Sequence, residues 1–146
     1  MAEQTEGSIE ISATAEEVME VLTDFNAYPE WASGITKAEV KNNDAQGRPS
    51  QVDFEVSQMG IGARYTLAYR YRAQLGGLSW STKSASGAVR DIKGEYALKP
   101  SHAGTTVTYR TTIEPAMPMI GFVKRQAEKT IINTALVGLK KRVEAR

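Results

Sequence analysis

The chain has no cysteine and one histidine, His102, in 146 residues. The first absence excludes disulfides, thiol nucleophiles and cysteine-ligated zinc. The second leaves one imidazole for any nucleophile–base pair, which requires hydrogen-bond contact. His102 lies in Pro100-Ser101-His102-Ala103-Gly104, a run that reads as an exposed turn. The carboxylates are scattered, so no metal-ligand constellation is expected. Gly60-Ile61-Gly62 lacks the third glycine of a nucleotide-binding loop and is flanked by strand patterns, so it reads as a hairpin turn. No cofactor is expected. Neither sign of charge dominates: 18 basic against 17 acidic residues give a net charge of +1, far from the basic footprint of a nucleic-acid-binding domain. No apolar run approaches the roughly 20 residues of a membrane span. Met1-Ala2-Glu3-Gln4-Thr5-Glu6 has neither the basic start nor the apolar core of a signal peptide. The expectation is a soluble, cytoplasmic protein.

What is present is an ordinary globular balance, 41% hydrophobic and 24% charged, of a length that suits one domain spanning residues 1–146. Ser8 to Ile11 alternate as a strand. Thr14 and Glu17 have capping-box spacing, and Val18, Val21, Leu22 and Phe25 follow at helical intervals. That short helix ends near Asn26, and Tyr28-Pro29-Glu30-Trp31 starts a second short helical turn, with Pro29 where a first turn tolerates it. From residue 35 to 114 strands and turns dominate. Asn42 to Pro49 is a turn cluster. Val52, Phe54 and Val56 share one strand face. Tyr65, Leu67, Tyr69 and Tyr71 share another, with Arg64, Arg70 and Arg72 opposite, facing solvent. Gly76-Gly77 turns into Leu78, Trp80 and Thr82. Ile92, Gly94, Tyr96 and Leu98 alternate next, then Val107, Tyr109, Thr111 and Ile113.

After Pro115 and Pro118 the period becomes helical: Ile120, Val123, Ala127, Ile131, Ala135, Leu136, Leu139 and Val143. Lys124, Arg125, Glu128, Lys129, Lys140, Lys141 and Glu144 occupy the other side. From Met119 to Glu144 this makes about 39 Å of helix at 1.5 Å per residue. Such a helix needs a sheet to cover its apolar stripe. The fold class is therefore α+β, an antiparallel sheet with helices on one side. The basic helix surface could touch anionic membranes, but the interleaved Glu128 and Glu144 favour a solubilising face. The aromatic side chains on the strand faces read either as plain core or as a cavity lining, since a buried tyrosine or tryptophan needs a partner for its polar end.

Ile9-Glu10-Ile11-Ser12-Ala13-Thr14-Ala15-Glu16-Glu17-Val18 and Asp24-Phe25-Asn26-Ala27-Tyr28-Pro29-Glu30-Trp31 resemble the opening of the START-like, or SRPBCC, superfamily. Leu98-Lys99-Pro100, Gly104 to Tyr109, Met117-Pro118-Met119-Ile120-Gly121 and the final helix resemble its ending, in its polyketide cyclase/dehydrase-like branch. The resemblance implies a helix-grip fold. In it a seven-stranded antiparallel sheet curls around a long C-terminal helix, with two short helices between the first and second strands and an elongated apolar cavity inside. It implies a hydrophobic small-molecule partner, a lipid, polyketide or related compound. The ligand-lining positions are then Trp31, Phe54, Tyr65, Leu67, Tyr69, Trp80, Tyr96, Tyr109, Met117, Ile120, Val123, Lys124, Ala127 and Ile131. Small residues on the helix, Ala127, Ala135 and Gly138, would leave room for ligand. The first functional expectation is binding or transport. The second is a polyketide aromatase/cyclase or dehydratase acting by positioning and acid–base help, with Tyr65, Tyr69 and Tyr109 as proton donors. The inward arginine thought to orient substrate in such cyclases has no counterpart if Arg64, Arg70 and Arg72 face out.

Overall fold

A computed structural model describes residues 4–58, 61–117 and 121–146, apart from the side chains of Gln58, Ile61 and Phe122. Seven strands, β1 (Thr5–Ile11), β2 (Ile35–Asn43), β3 (Pro49–Gln58), β4 (Ile61–Tyr71), β5 (Gly77–Gly87), β6 (Val89–Ser101) and β7 (Gly104–Pro115), alternate with few helices. Between β1 and β2 come α1 (Ala15–Thr23) and a 3-10 helix (Phe25–Glu30); α2 (Gly121–Glu144) ends the chain. The strands form one antiparallel sheet in the order β1-β7-β6-β5-β4-β3-β2. Every neighbour except the β1–β7 pair is also a neighbour in sequence, so hairpins build most of the sheet and β1 is added to its edge by long-range pairing. This is the helix-grip arrangement that the resemblance implies.

Local chemistry explains the short elements. The Thr14 hydroxyl accepts from the Glu17 backbone N–H while the Glu17 carboxylate takes the Thr14 N–H, so both halves of the capping box form and satisfy amides that would otherwise lack partners. The following chain turns into the 3-10 helix at Asp24, with Pro29 inside it. The Tyr28 hydroxyl donates to the Leu22 carbonyl at 2.6 Å and ties the two helices together.

Alternation holds on the sheet. Val52, Phe54, Leu67, Tyr69, Leu78, Trp80, Tyr96, Leu98 and Val107 are buried on its covered face. Arg64, Arg70 and Arg72 are exposed; Arg64 pairs with Glu55 at 3.3 Å and Arg72 with Glu95 at 2.7 Å. Glu95 also receives Arg110 at 2.9 Å.

Helix α2 lies over β1 and β7, and here the sequence expectation needs correction. Its C-terminal half buries Ile132, Leu136, Leu139 and Val143. Continuing that row towards the N-terminus leads to Glu128, which is only 1% exposed and not on a solvated face. Its carboxylate accepts from the Thr5 hydroxyl at 2.7 Å, the Ile113 backbone N–H at 2.8 Å and Lys124 Nζ at 3.2 Å. Val123 and Ala127 each precede an inward position by one residue, about 100° around the helix, and are exposed. At the other end Lys140 Nζ donates to the Glu10 carbonyl at 2.7 Å, and Glu144 accepts from the Ser12 N–H at 2.9 Å. Gly7 on β1 lets the helix come close, since a Cβ there would stand 2.7 Å from the Ile132 side chain.

A buried carboxylate with three donors is costly to remove on its own, because its partners stay buried. Replacing Glu128 with Leu is expected to lower unfolding free energy by about 3 kcal/mol. Glu128→Gln, which keeps an acceptor for Ile113, should cost less. Urea denaturation at neutral pH measures both; equal midpoints for Glu128→Leu and the parent chain would refute the anchoring role.

Candidate functional site: a tyrosine-lined cavity

Between the sheet, the 3-10 helix and α2 lies a cavity of about 210 Å³. Each strand from β3 to β7 contributes through its inward positions: Phe54 and Val56, then Tyr65, Leu67 and Tyr69, Trp80, Val89, Ile92 and Tyr96, and finally Tyr109, Thr111 and Ile113. Tyr28, Trp31, Ala32, Ser33, Gly34 and Ile35 close one side; Ile131, Thr134 and Ala135 of α2 close another. Val56, Val89 and Ile113 stand towards the end of the sheet where the β3–β4 and β5–β6 hairpins lie; there the Ala88 N–H bonds the Gly62 carbonyl and the Ala116 N–H bonds the Ala88 carbonyl.

Sequence-expected lining positions fall into three groups. Trp31, Phe54, Tyr65, Leu67, Tyr69, Trp80, Tyr96, Tyr109 and Ile131 stand on the cavity wall. Met117 and Val123 are 76% and 46% exposed, Ala127 is exposed, and none of the three reaches the cavity. Lys124 is half-buried on the row that leads to Glu128, pairs with that carboxylate at 3.2 Å and is not on the cavity wall. Ile120, with Pro118, Met119 and Gly60, lies outside the described residues. Gly138 does not leave room for ligand: a Cβ there would strike the Trp31 carbonyl oxygen, so its bareness admits the chain at Trp31. Ala135, expected on this face of α2, also stands on the wall, and Thr134 is the α2 lining residue that the expectation passed over. Tyr28 also stands on the wall; it belongs to the Tyr28–Trp31 segment that the family resemblance puts near the cavity mouth.

The aromatics form two continuous stacks. Phe25 touches Tyr28, Phe54 and Tyr69, with ring centroids 5.0, 6.4 and 4.6 Å away. Trp80, Tyr96 and Tyr109 contact one another at 4.6 to 5.6 Å, and Tyr69 joins the two groups at 5.9 Å from Trp80. Offset and tilted pairs of this kind add about 0.5–1.5 kcal/mol each beyond area burial. Gly94 makes the Trp80 position possible, since a Cβ there would come within 2.7 Å of the indole. The rings line the space between sheet and helix, and the cavity is what they leave open.

Polar groups in this space are few. The Tyr28 hydroxyl donates to the Leu22 carbonyl at 2.6 Å; Tyr71, off the cavity wall, donates to the Pro49 carbonyl at 2.6 Å. Tyr65, Tyr69 and Tyr96 have no hydrogen-bond partner for their hydroxyls among the described residues, yet these oxygens are not among the fully enclosed unpaired atoms; they border the open space. Burial pushes the phenols of Tyr28, Tyr65, Tyr69 and Tyr96 up, and neighbouring phenols add to the effect. Burial raises Tyr109 to about 12, with a hydrogen bond from Thr111 opposing it. At neutral pH the cavity therefore presents uncharged O–H groups in apolar surroundings. Trp31 Nε1 is fully enclosed without a partner among the described residues, a state that costs about 1–3 kcal/mol. No group of three or more His, Asp or Glu able to hold a metal occurs among the described residues, and none of their helices is long and apolar enough to cross a membrane.

Known proteins share this architecture. A START superfamily protein from Mycobacterium smegmatis superposes with a TM-score of 0.89 at 21% identity, over 97% of each chain. An aromatase/cyclase, Zhui, from a Streptomyces species gives 0.75 at 16% identity, over 100% of this chain and 96% of that one. A STAR-related lipid transfer protein from Xanthomonas axonopodis gives 0.70 at 17% identity, over 95% and 84%. At these identities the likeness shows the fold alone. No curated protein sequence matches the chain. A family model described as polyketide cyclase/dehydrase and lipid transport matches residues 2–144, and the chain belongs to that family.

Proposed function

We propose that the protein binds a small, apolar, ring-containing molecule with an oxygen acceptor, held between α2 and the sheet. The observation that carries this is the cavity of about 210 Å³ with apolar walls and phenol hydroxyls bordering its free space. A cavity of roughly 150 Å³ holds benzene, and drug-sized ligands occupy roughly 300 Å³ or more. One or two rings fit; a sterol needs more space. The phenols supply the few polar points that orient a ligand in such a site, donating to a carbonyl, hydroxyl or carboxylate oxygen. A cyclase would use the same phenols as proton donors, but efficient transfer needs a pKa near the working pH, and burial moves these groups the other way. Family and fold support either reading; the electrostatics favour binding.

Isothermal titration calorimetry with naphthalene and 2-naphthol tests the reading. The naphthol is expected to bind about fivefold more tightly, as one net hydrogen bond allows, and Tyr65→Phe, Tyr69→Phe and Tyr96→Phe combined should erase the difference. Cholesterol should neither bind nor raise the melting temperature. Absence of binding by both naphthalenes would overturn the proposal.

The raised phenols also set a pH dependence. An unfolded chain ionises its tyrosines near pH 10, while the folded chain keeps them protonated. The stability they contribute is complete below pH 10 and is lost as pH rises towards 12, the value to which burial pushes Tyr71 and Tyr109. Tyrosinate absorbance at 295 nm should therefore appear together with loss of the far-ultraviolet circular dichroism signal. Ionisation of most tyrosines by pH 10 with the signal intact would contradict the burial argument.

A further inference from the structure

The cavity wall changes character along the strands. Away from the β3–β4 and β5–β6 hairpins it is made by Tyr69, Trp80 and Tyr96, all buried. The two tyrosines carry phenol hydroxyls that border the open space. Towards the hairpins it is made by Ile35, Val56, Val89 and Ile113, which are half-buried and aliphatic. Ile35 and Val56 are paired across β2 and β3 at that end. Two further wall residues, Ser33 and Ile131, are exposed there. A wall residue that solvent reaches marks an opening. The cavity thus has its hydroxyls at the closed end and, apart from Ser33, aliphatic side chains at the mouth.

Helix α2 carries the aliphatic side on beyond the mouth. Ile131, Ala127 and Val123 are spaced by four residues, which places them in one row on the helix surface. At 1.5 Å per residue the row runs about 12 Å. Ala127 and Val123 stand seven and eleven residues before Thr134, so at 100° per residue each lies about 20° from it around the axis. They therefore face the same way as the α2 residues on the cavity wall. Ile131 is 36% and Val123 46% exposed, and Ala127 is exposed. Among the described side chains of residues 121–130 only Glu128 is buried, so Val123 and Ala127 do no packing within the chain. Single exposed apolar side chains are ordinary. A row that starts on a cavity wall and leaves through its mouth is a continuous surface.

We propose that the ligand is an oxygenated ring bearing an aliphatic chain, with the ring among the phenols and the chain leaving the mouth along Ile131, Ala127 and Val123. This rests on the cavity-binding reading and adds the part of the ligand that lies outside the cavity. The cavity alone sets the size of the ring; the row on α2 sets the length of chain that gains contact.

4-Alkylphenols from ethyl to octyl, titrated by calorimetry below the concentrations at which they aggregate, test the proposal. Affinity is expected to rise about twofold per added methylene through octyl, which is what half-burial of a methylene gives. Val123→Asp combined with Ala127→Ser should flatten the series beyond butyl. Gln126→Glu adds the same charge on another side of α2 and should leave the series unchanged. If affinity in the parent chain stops rising at ethyl, or the double variant keeps the parent slope, the chain track is refuted while cavity binding stands. If no phenol binds, both readings fall. Sedimentation of the parent chain with and without phosphatidylglycerol vesicles should show a monomer free in solution. A dimer, or a vesicle-bound chain, that Val123→Asp releases would make the row a contact between copies or with a membrane, and would overturn the track.

Discussion

Everything in this fold depends on one helix being held against a curled sheet from one edge. Helix α2 docks on β1 and β7, and β1 is the strand added by long-range pairing. Two kinds of interaction hold it there. The C-terminal half uses burial of Ile132, Leu136, Leu139 and Val143, each worth roughly 1.5–3 kcal/mol, with Lys140 and Glu144 bonding the β1 backbone and the turn after it. The N-terminal half uses Glu128. A carboxylate with three donors is directional where aliphatic contacts are not: it fixes the rotation of the helix about its own axis, because it must meet Thr5, Ile113 and Lys124 together. That rotation decides which α2 residues face the cavity, namely Ile131, Thr134 and Ala135, and sends Val123 and Ala127 to solvent.

The cavity is what the aromatic side chains leave unfilled. Packing in a protein interior approaches that of an organic crystal, and planar rings packed at a tilt around Phe25, Tyr69 and Trp80 cannot tile a curved space completely. The remaining volume has a consistent chemistry. Hydroxyls at its border are kept neutral by burial, so they can orient an oxygen without competing for its proton. The guanidinium groups that would make it cationic, Arg64, Arg70 and Arg72, are on the opposite face of the sheet, with Arg64 and Arg72 paired to Glu55 and Glu95. Among the described residues no charged side chain stands on the cavity wall.

Much of this was legible in the sequence, and the reason is geometric. A strand reveals its faces through a period of two, so Tyr65, Leu67, Tyr69, Trp80, Tyr96 and Tyr109 could be assigned to one side, and the arginines to the other, without coordinates. The capping box at Thr14 and Glu17 is local chemistry and was equally readable. The N-terminal half of α2 was not. Polarity there points the wrong way: the buried residue is Glu128 and the apolar ones, Val123 and Ala127, are exposed. Only long-range partners on β1 and β7 make a buried carboxylate acceptable, and no window of helix sequence contains them. Gly138 shows the same limit. A small residue reads as spare volume until the chain that fills it, at Trp31, is seen.

The buried carboxylate and the unpartnered indole are opposite cases of one rule. Buried polar groups are normally satisfied. Glu128 obeys the rule with a full set of donors, and its role is complete within the chain: it orients the helix. Trp31 Nε1 departs from it, at a cost that Phe in the same place would avoid. Tryptophan also provides the widest ring for walling this side of the cavity, so size alone could account for the residue. Gly138 admits the chain at Trp31 close to α2, and the ring packs on Tyr28 at 4.8 Å between centroids. The indole is thus kept where the wall needs its width, and the unsatisfied N–H is the cost of that width.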